Sequence, residues 1–317
     1  MGGFLAGTTH EEEKMYTRML IPLDSSKTAE NVLPYGRILA RTFQIPVELM
    51  EVLDIAGMAS HVAGEKARHL DTVVTEGERG SEHYLKKIAS SFSDVNVSCT
   101  VERGRPEDVI IEKAAADKTT LIAMATHGRS GMSRWLLGSI AEKVLRATTN
   151  PLLLVRANEE APTEGEAVLR SIIVPLDSSE LAESVLPIAV KFARLLNVGM
   201  VLFRAYELPA SAYYGRENYL PNYEELKNRV KEQAQNYLDK RIEAIKAEGV
   251  QTVSSVLIEG PAPNEIIDYA RKSPNALITM CTHGRSGVKR WVLGSVTEKV
   301  VRHSGDPVLV MRGGTTA

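Results

Sequence analysis

Short runs of aliphatic residues alternate along the chain with longer stretches in which apolar residues recur every three or four positions. The first run, at 18–23, is followed by a helical pattern over 27–42, where Val32, Leu33 and Leu39 fall on one face. Short strands rich in Val, Ile and Leu are typical of parallel sheets that are buried on both faces. The pattern therefore predicts a doubly wound α/β sandwich, in which strands alternate with helices.

The same order of elements occurs twice. In the first half, the predicted strands are 18–23, 47–53, 95–102, 120–125 and 151–155, and the predicted helices are 27–42, 64–91, 105–116 and one that starts near 139. In the second half, the predicted strands are 171–176, 199–205, 252–258, 276–280 and 307–311, and the predicted helices are 181–196, 224–248, 264–272 and 295–303. Each half thus predicts a five-stranded parallel sheet covered by helices, with a Rossmann-like order.

A 31-residue segment is also repeated. Residues 126–156 read THGRSGMSRWLLGSIAEKVLRATTNPLLLVR, residues 282–312 read THGRSGVKRWVLGSVTEKVVRHSGDPVLVMR, and 18 of the 31 positions are identical. The identities are densest in the glycine-rich part, whereas packing alone would tolerate aliphatic exchanges. A period of about 155 residues is that of a domain, not of a solenoid repeat. We predict two copies of one domain, 16–156 and 168–313, joined by a polar linker at 157–167.

The composition is that of a soluble globular protein, with 44% apolar and 25% charged residues. A net charge of −2 gives no electrostatic reason to bind nucleic acid or an anionic membrane, and neither is expected as a partner. The two cysteines, Cys99 and Cys281, stand at non-equivalent places in the two copies, which favours a reducing, cytoplasmic location over a disulfide framework. No Cys/His cluster has the spacing of metal ligands, so no metal site is predicted.

Polar residues follow the first and fourth predicted strands of each copy. In open α/β sheets, ligands bind beyond the carboxyl ends of the strands. Asp24 and Asp177 follow the first strands, and the repeated glycine loop follows the fourth. Arg129 and Arg285 of that loop could make charge-assisted hydrogen bonds to a phosphate. Alternatively, the glycines form only a sharp turn before a helix, and Asp24 only stabilises its own turn.

The glycine loop ends at a predicted helix N-terminus. Ser139 and Ser295 are each followed three residues later by Glu, which is the signature of a capping box, so we expect these serines to cap helices. A helix start offers backbone N–H donors and the positive end of a dipole, and both favour phosphate. The loop therefore predicts a phosphate-binding site in each copy.

The loop resembles the nucleotide-binding motif of the universal stress protein family, which reads Gly, two residues, Gly, nine residues, Gly-Ser/Thr. The first copy has Ala125, Gly128, Gly138 and Ser139 at these places, and the second has Cys281, Gly284, Gly294 and Ser295. The resemblance extends over about 16–313 and implies ATP as ligand. By resemblance, the ATP-binding positions are Pro22, Asp24, Val52, Met124, Ala125, Gly128, Gly138, Ser139 and Ile140 in the first copy, and Pro175, Asp177, Ala205, Met280, Cys281, Gly284, Gly294, Ser295 and Val296 in the second.

Each copy departs from the family motif at one position, and the resemblance also implies how the domains and chains pair. Ala125 and Cys281 replace the first motif glycine, and Cys281 adds bulk beside the expected ligand. The family also implies that the two domains pair through their last strands, and that two chains form a homodimer.

We expect a cytoplasmic stress-response or regulatory protein that binds ATP, with ADP and AMP as alternative ligands, and not a fast enzyme. The chain lacks the Walker lysine motif that places a dedicated charge on the β- and γ-phosphates. Two other functions stay open. One is a slow ATPase that uses Mg²⁺ with Asp24 or His127, and the other is a nucleotide-independent interaction or chaperone-like protein. The sequence does not indicate the signal or the client protein.

Overall fold

Ten β-strands form one sheet in the computed structural model, which describes residues 15–57, 70–127, 137–156, 158, 160–208, 223–282 and 293–313. The strands are β1 (Arg18–Leu23), β2 (Val47–Leu53), β3 (Val97–Arg103), β4 (Thr120–Ala125), β5 (Leu152–Val155), β6 (Ser171–Pro175), β7 (Gly199–Tyr206), β8 (Val253–Glu259), β9 (Ala276–Cys281) and β10 (Val308–Met311). Their order across the sheet is β3-β2-β1-β4-β5-β10-β9-β6-β7-β8.

Each half contributes five parallel strands in the same order, which confirms the predicted fold class. The halves join where β5 and β10 pair antiparallel, with Leu154 opposite Val308 and Leu152 opposite Val310. The two predicted five-stranded sheets are therefore one continuous sheet. This pairing of the last strands is the one that the resemblance implies, and it leaves neither strand as an open edge.

The helices lie between the strands as predicted. They are α1 (Leu33–Phe43), α2 (Leu70–Ala89), α3 (Pro106–Ala115), α4 (Ser139–Ala147), α5 (Glu180–Glu183), α6 (Leu186–Leu196), α7 (Tyr223–Ala247), α8 (Ala262–Arg271) and α9 (Ser295–His303). None of these described helices is long and apolar enough to cross a membrane. The predicted helix 64–91 lies outside the described residues up to residue 69.

The first predicted helix of each copy is divided. In the first copy a 3-10 helix, Ala29–Val32, precedes α1, and in the second α5 precedes α6. Pro34 and Pro187 stand at the second residue of the longer helix. Because proline lacks an N–H and its ring clashes with the preceding turn, it suits the first turn of a helix and interrupts a longer one. The single helices predicted at 27–42 and 181–196 missed this division.

One core cluster covers each face of the sheet. The cluster on the face of α1 and α6 joins the two halves through aromatic contacts. Tyr16, Phe43 and Phe192 meet in that cluster, with ring centroids 4.6 Å apart for Phe43 and Phe192 and 6.1 Å for each of the other two pairs. Aromatic contacts of this geometry add to the burial of the rings. The sheet and the core are thus both continuous between the copies.

Hydrogen bonds hold the segment between the copies against α1 at residues 163, 165 and 167. The Arg37 guanidinium donates to the carbonyls of Thr163 at 2.9 Å and Gly165 at 2.7 Å. The Ala167 N–H donates to the Pro34 carbonyl at 3.0 Å. The polar composition predicted a linker at 157–167, and its described part is a strap fixed on the first copy.

Candidate functional site

Asp24 stabilises the turn that follows β1. Its Oδ1 accepts hydrogen bonds from the Ser26 N–H at 3.1 Å and the Ser26 hydroxyl at 2.6 Å. The Ser26 hydroxyl oxygen in turn accepts from the Ala29 N–H at 3.1 Å, at the start of the 3-10 helix. Between them, Ser25 adopts a left-handed conformation with φ 64°. The turn-stabilising role that the sequence left open for Asp24 is therefore present.

The second copy repeats this geometry. Asp177 Oδ1 accepts from the Ser179 N–H at 2.9 Å and from its hydroxyl at 2.6 Å, and Ser178 has φ 67°. Ser179 caps α5, because its side chain accepts from the Ala182 N–H at 3.1 Å. Both copies thus fix a carboxylate at the carboxyl end of the first strand, where the sequence places the candidate site.

The other strand ends of the site are neighbours in the sheet. In the first copy, Pro22 of β1, Val52 of β2 and Met124 of β4 stand at the carboxyl edge of adjacent strands. In the second copy, Pro175 of β6, Ala205 of β7 and Met280 of β9 occupy the same edge. Met124 and Met280 are buried, whereas Val52 and Ala205 are half-buried. The fold therefore brings these three strand-end residues of each copy to the carboxyl ends of adjacent strands.

The two ends of the glycine loop are held together. The Thr126 N–H donates to the Val155 carbonyl at 2.8 Å, and the Gly138 N–H donates to the Thr126 carbonyl at 2.8 Å. A Cβ atom on Gly138 would lie 2.8 Å from that Thr126 oxygen, so only glycine fits. In the second copy the Gly294 N–H donates to the Thr282 carbonyl at 2.7 Å. Gly128, Arg129, Gly284 and Arg285 lie outside the described residues.

Helices α4 and α9 begin where the sequence predicts, but the capping box is absent. The N-cap residues are Gly138 and Gly294, with φ −60° and −61°, and as glycines they provide no side-chain cap. Ser139 and Ser295 are instead the first helical residues, and both are exposed. The prediction that these serines cap the helices is wrong, because the short contact between residues 126 and 138 requires glycine at the N-cap.

The glutamates of the supposed capping box form an ion network between the copies. Arg146 lies 3.1 Å from Glu142 and 3.2 Å from Glu298, and Arg302 lies 3.1 Å from Glu142 and 3.0 Å from Glu298. Burial opposes the ionisation of Glu142, but the hydrogen bonds from Arg146 and Arg302 hold its pKa below the ordinary value. The repeated glutamate therefore marks a domain interface, which sequence reasoning missed.

His127 is the last described residue before the loop. Its Nδ1 lies 3.2 Å from the Thr126 hydroxyl, and its Nε2 is buried without a partner among the described residues. Burial, followed by the charge of Arg156, lowers the pKa of His127. The imidazole is accordingly neutral at pH 7.

Ala125 and Cys281, which replace the first motif glycine, end β4 and β9 and are both buried. The Cys281 sulfur lies 3.1 Å from the Ser184 hydroxyl, between α5 and α6. Burial raises the pKa of the Cys281 thiol, which is therefore protonated at neutral pH. The added bulk is thus directed toward Ser184, on the opposite face of β9 from Met280.

A cavity of about 1090 Å³ lies between the strap and the junction of the two copies, and it reaches the described ends of the first glycine loop at Thr126, His127 and Leu137. Among the charged residues that line it are three arginines and three glutamates: Arg156, Arg170, Arg302, Glu160, Glu164 and Glu166. Sequence reasoning did not predict this cavity, since its walls come from segments that are distant in the chain.

Comparisons with known proteins agree with the geometry. The model of the universal stress protein family matches residues 15–156 and again residues 169–312. Universal stress protein MJ0531 of Methanocaldococcus jannaschii is 29% identical over 144 residues, which cover 45% of this chain and 84% of that protein. Universal stress protein MJ0577 of the same organism is 29% identical over 159 residues, covering 45% of this chain and 96% of that protein.

A solved structure matches both halves at once. The crystal structure of a universal stress protein from Archaeoglobus fulgidus covers 94% of this chain and 99% of that chain, with a TM-score of 0.66 and 21% sequence identity. At this identity the similarity shows the fold alone.

Proposed function

Because the chain belongs to the universal stress protein family, as a tandem two-domain member, we propose that it binds an adenine nucleotide, with ATP as the main ligand, in each of its two domains. The observation that carries the proposal is the glycine N-cap of α4 and of α9. Because the N-cap residue of each helix is glycine, it has no side chain that could cap the N–H donors of the first turn, and these donors suit a phosphate.

The remaining residues have roles that fit this ligand. Ser139 and Ser295 are exposed at the helix starts and can donate their hydroxyls to phosphate oxygens. Asp24 and Asp177, fixed by their turns, stand where a ribose hydroxyl could bind. Val52 and Ala205 offer an apolar, half-buried surface to the adenine. The described residues at the strand ends therefore suit a nucleotide, and Arg129 and Arg285 would add charge to the same sites.

We assign the protein a regulatory or sensing role, in a cytoplasmic homodimer with domains at 16–156 and 168–313. The missing Walker lysine motif favours binding over rapid hydrolysis. A slow ATPase with Mg²⁺ is the second candidate. Its test is Asp24→Asn combined with Asp177→Asn, because asparagine keeps the oxygen that accepts from Ser26 and Ser179. Turnover that vanishes while ATP still binds would favour the ATPase.

The experiment for the main proposal identifies the nucleotide that copurifies with the protein, by denaturing release and mass spectrometry. Gly138→Asp places a carboxylate against the Thr126 carbonyl and should empty the first site, and Gly294→Asp should empty the second. Gly80→Asp is the matched control, since a Cβ on Gly80 meets nothing within 4 Å.

We expect each single variant to carry about half the nucleotide of the wild type, and the control to carry all of it. If both single variants retain the full amount, the assignment to the loop is wrong. If no nucleotide is released and none binds at millimolar concentration, the nucleotide-independent function is left standing.

A further inference from the structure

The cavity between the strap and the junction has an apolar wall that both copies supply. Five of its lining residues are apolar and buried: Pro34, Leu137, Val155, Val301 and Pro307. Its volume of about 1090 Å³ is close to the upper end of the roughly 300–1,000 Å³ that small-molecule sites occupy, and such sites are frequent at domain interfaces. The cavity therefore has the size, the place and the apolar surface of a ligand site.

A buried amide in this cavity has an unused donor. Only 3% of Asn31 is exposed, and its Oδ1 accepts from the Asn158 N–H at 2.7 Å, which fixes the orientation of the amide. Its Nδ2 is buried and has no acceptor among the described residues. An unsatisfied buried donor destabilises a fold by about 1–3 kcal/mol. An acceptor that a ligand brings to Asn31 therefore binds with little competition.

Two further donors line the same cavity. The buried Nε2 of His127 can donate when Nδ1 accepts from the Thr126 hydroxyl, 3.2 Å away, and Nε2 has no partner in the described part of the chain. Arg170 is exposed, and its guanidinium makes no ion pair with another described residue. Arg302, by contrast, is bound to two glutamates. The unused groups on the walls that the two domains form are thus donors.

The strap contributes acceptors that are in contact with solvent. Glu160, Glu164 and Glu166 line the cavity and are all exposed, and Glu166 lies 2.5 Å from Arg41. Exposed charges are screened by salt, so these carboxylates oppose a bound anion only weakly. The buried donors decide which group binds, and an ionised oxygen accepts from such donors more strongly than a neutral one.

The cavity is separate from the proposed nucleotide sites. None of the described ATP-binding positions lines it, although it reaches the ends of the first glycine loop. Its lining also includes Asn275, Arg302 and Gly305 of the second copy, which places it between the domains.

We propose that this cavity binds a small organic anion, a carboxylate or a phosphate on an apolar body. The oxyanion accepts from Asn31, and the apolar body packs against Val155 and Val301. The site is additional to the two nucleotide sites, and failure of nucleotide binding would not remove it.

Isothermal titration calorimetry of the full chain with benzoate tests the proposal. Benzamide is the matched neutral probe, because it has nearly the same shape without the charge. Phenyl phosphate, titrated in parallel, distinguishes a phosphate ligand from a carboxylate. We expect at least one of the two anions to bind one site per chain about ten-fold more tightly than benzamide, and excess ATP to leave this affinity unchanged.

Two variants place the anion in the cavity. Asn31→Asp keeps the oxygen that accepts from Asn158 and replaces the donor with a carboxylate, so it should weaken anion binding by about ten-fold at pH 8. Gly305→Phe should abolish binding, since a Cβ on Gly305 meets nothing within 4 Å and the ring can extend into the open space. Asn96→Asp is the control, because it makes the same exchange at an exposed residue that does not line the cavity.

Equal affinity for benzamide and the anions would overturn the choice of ligand, and displacement of the anion by ATP would overturn the separate site. The proposal as a whole fails if neither anion binds at about 10 mM, or if Asn31→Asp and Gly305→Phe both bind like the wild type. Thermal melts check that each variant is folded. If Asn31→Asp does not fold, Gly305→Phe decides, because residue 305 is exposed.

Discussion

At the scale of single residues, Tyr16 shows what a buried polar group does at the junction of the copies. It is 2% exposed, its ring packs against Phe43 and Phe192, and its hydroxyl has no partner among the described residues. Burial raises the pKa of Tyr16, so the hydroxyl stays protonated at neutral pH. An unsatisfied buried hydroxyl destabilises a fold by about 1–3 kcal/mol.

Tyr16→Phe should therefore increase the free energy of unfolding by about 1 kcal/mol, because it keeps the ring and removes the unpaired oxygen. Chemical denaturation measures the change. Tyr16→Leu, which introduces the residue of the equivalent position 169, is the comparison that also loses the aromatic contacts. A clear loss of stability in Tyr16→Phe would show that the hydroxyl has a partner in solution.

Asp306 and Asn150 are equivalent residues before the last strand of each copy. The Asn150 side-chain N–H donates to the carbonyls of Asp117 at 2.8 Å and Thr120 at 3.1 Å. Burial raises the pKa of Asp306 to about 6, although Arg271 opposes the shift. Ionisation of Asp306 thus costs the folded state more than the unfolded one.

Below the unfolded pKa of about 4, Asp306 is protonated in both the folded and the unfolded state, and it does not lower the free energy of unfolding. As the pH rises from there through about 6, the unfolded state ionises more readily than the folded state, and the free energy of unfolding falls. Asp306→Asn should remove this loss and stabilise the protein by about 1–2 kcal/mol at pH 7.5, since solvent screens part of the effect. At pH 4 the difference should be small. Thermal melts from pH 4 to 8 test it, and a destabilised variant at pH 7.5 would contradict it.

At the scale of elements, α3 covers a network of charges that its counterpart α8 lacks. Glu48 of β2 lies 2.6 Å from Arg18 and 3.2 Å from Lys113, and Lys113 lies 3.0 Å from Glu102. The second copy has Ser171, Val201, Tyr269 and Ile258 at these places. Tyr269 packs against Phe203 there, with ring centroids 5.4 Å apart.

Arg18→Ser, Glu48→Val, Glu102→Ile and Lys113→Tyr together should leave stability unchanged or raise it by about 1–4 kcal/mol, because apolar packing replaces desolvated ion pairs. Glu48→Val alone should destabilise by about 1–2 kcal/mol, since it leaves Arg18 and Lys113 without this partner. Denaturant midpoints of both proteins give the comparison. A combined variant less stable than the single one would contradict this account.

Strand positions could be read from the sequence far better than the capping of the helices. The aliphatic runs of β1, β4 and β9 are buried along their lengths, so burial and pattern agree. The predicted cap at Ser139 is wrong because a Ser followed three residues later by Glu is compatible with two structures. One is the capping box, and the other is the observed helix, in which Gly138 is the N-cap and Glu142 binds arginines. The sequence does not show the contact between residues 126 and 138, or the arginines of the other copy, that select the observed one.

At the scale of the whole molecule, β5–β10 pairing and the network of Glu142, Arg146, Glu298 and Arg302 join the copies. These charges are 20–40% exposed, so each pair contributes modestly. The network as a whole matters more, because removing both arginines leaves two glutamates facing each other. The sequence predicted the strand pairing by resemblance, but not these charges, whose partners are over 150 residues apart.

Arg146→Met together with Arg302→Met should lower the free energy of unfolding by about 1–2 kcal/mol at low salt, and less at 1 M salt. The loss should also diminish as the pH falls through the lowered pKa of Glu142, because the protonated carboxyl no longer pairs with the arginines in the wild type. Thermal melts across salt and pH measure this. Insensitivity to both would show that the network does not join the domains.

Nucleotide binding by both loops is the central claim, and titration of ATP into the intact chain tests it most directly. Isothermal calorimetry should find two sites per chain in the wild type and in Gly80→Asp, one in each of Gly138→Asp and Gly294→Asp, and none in the double variant. Two sites retained in both single variants, or no binding to the wild type at millimolar ATP, would contradict it.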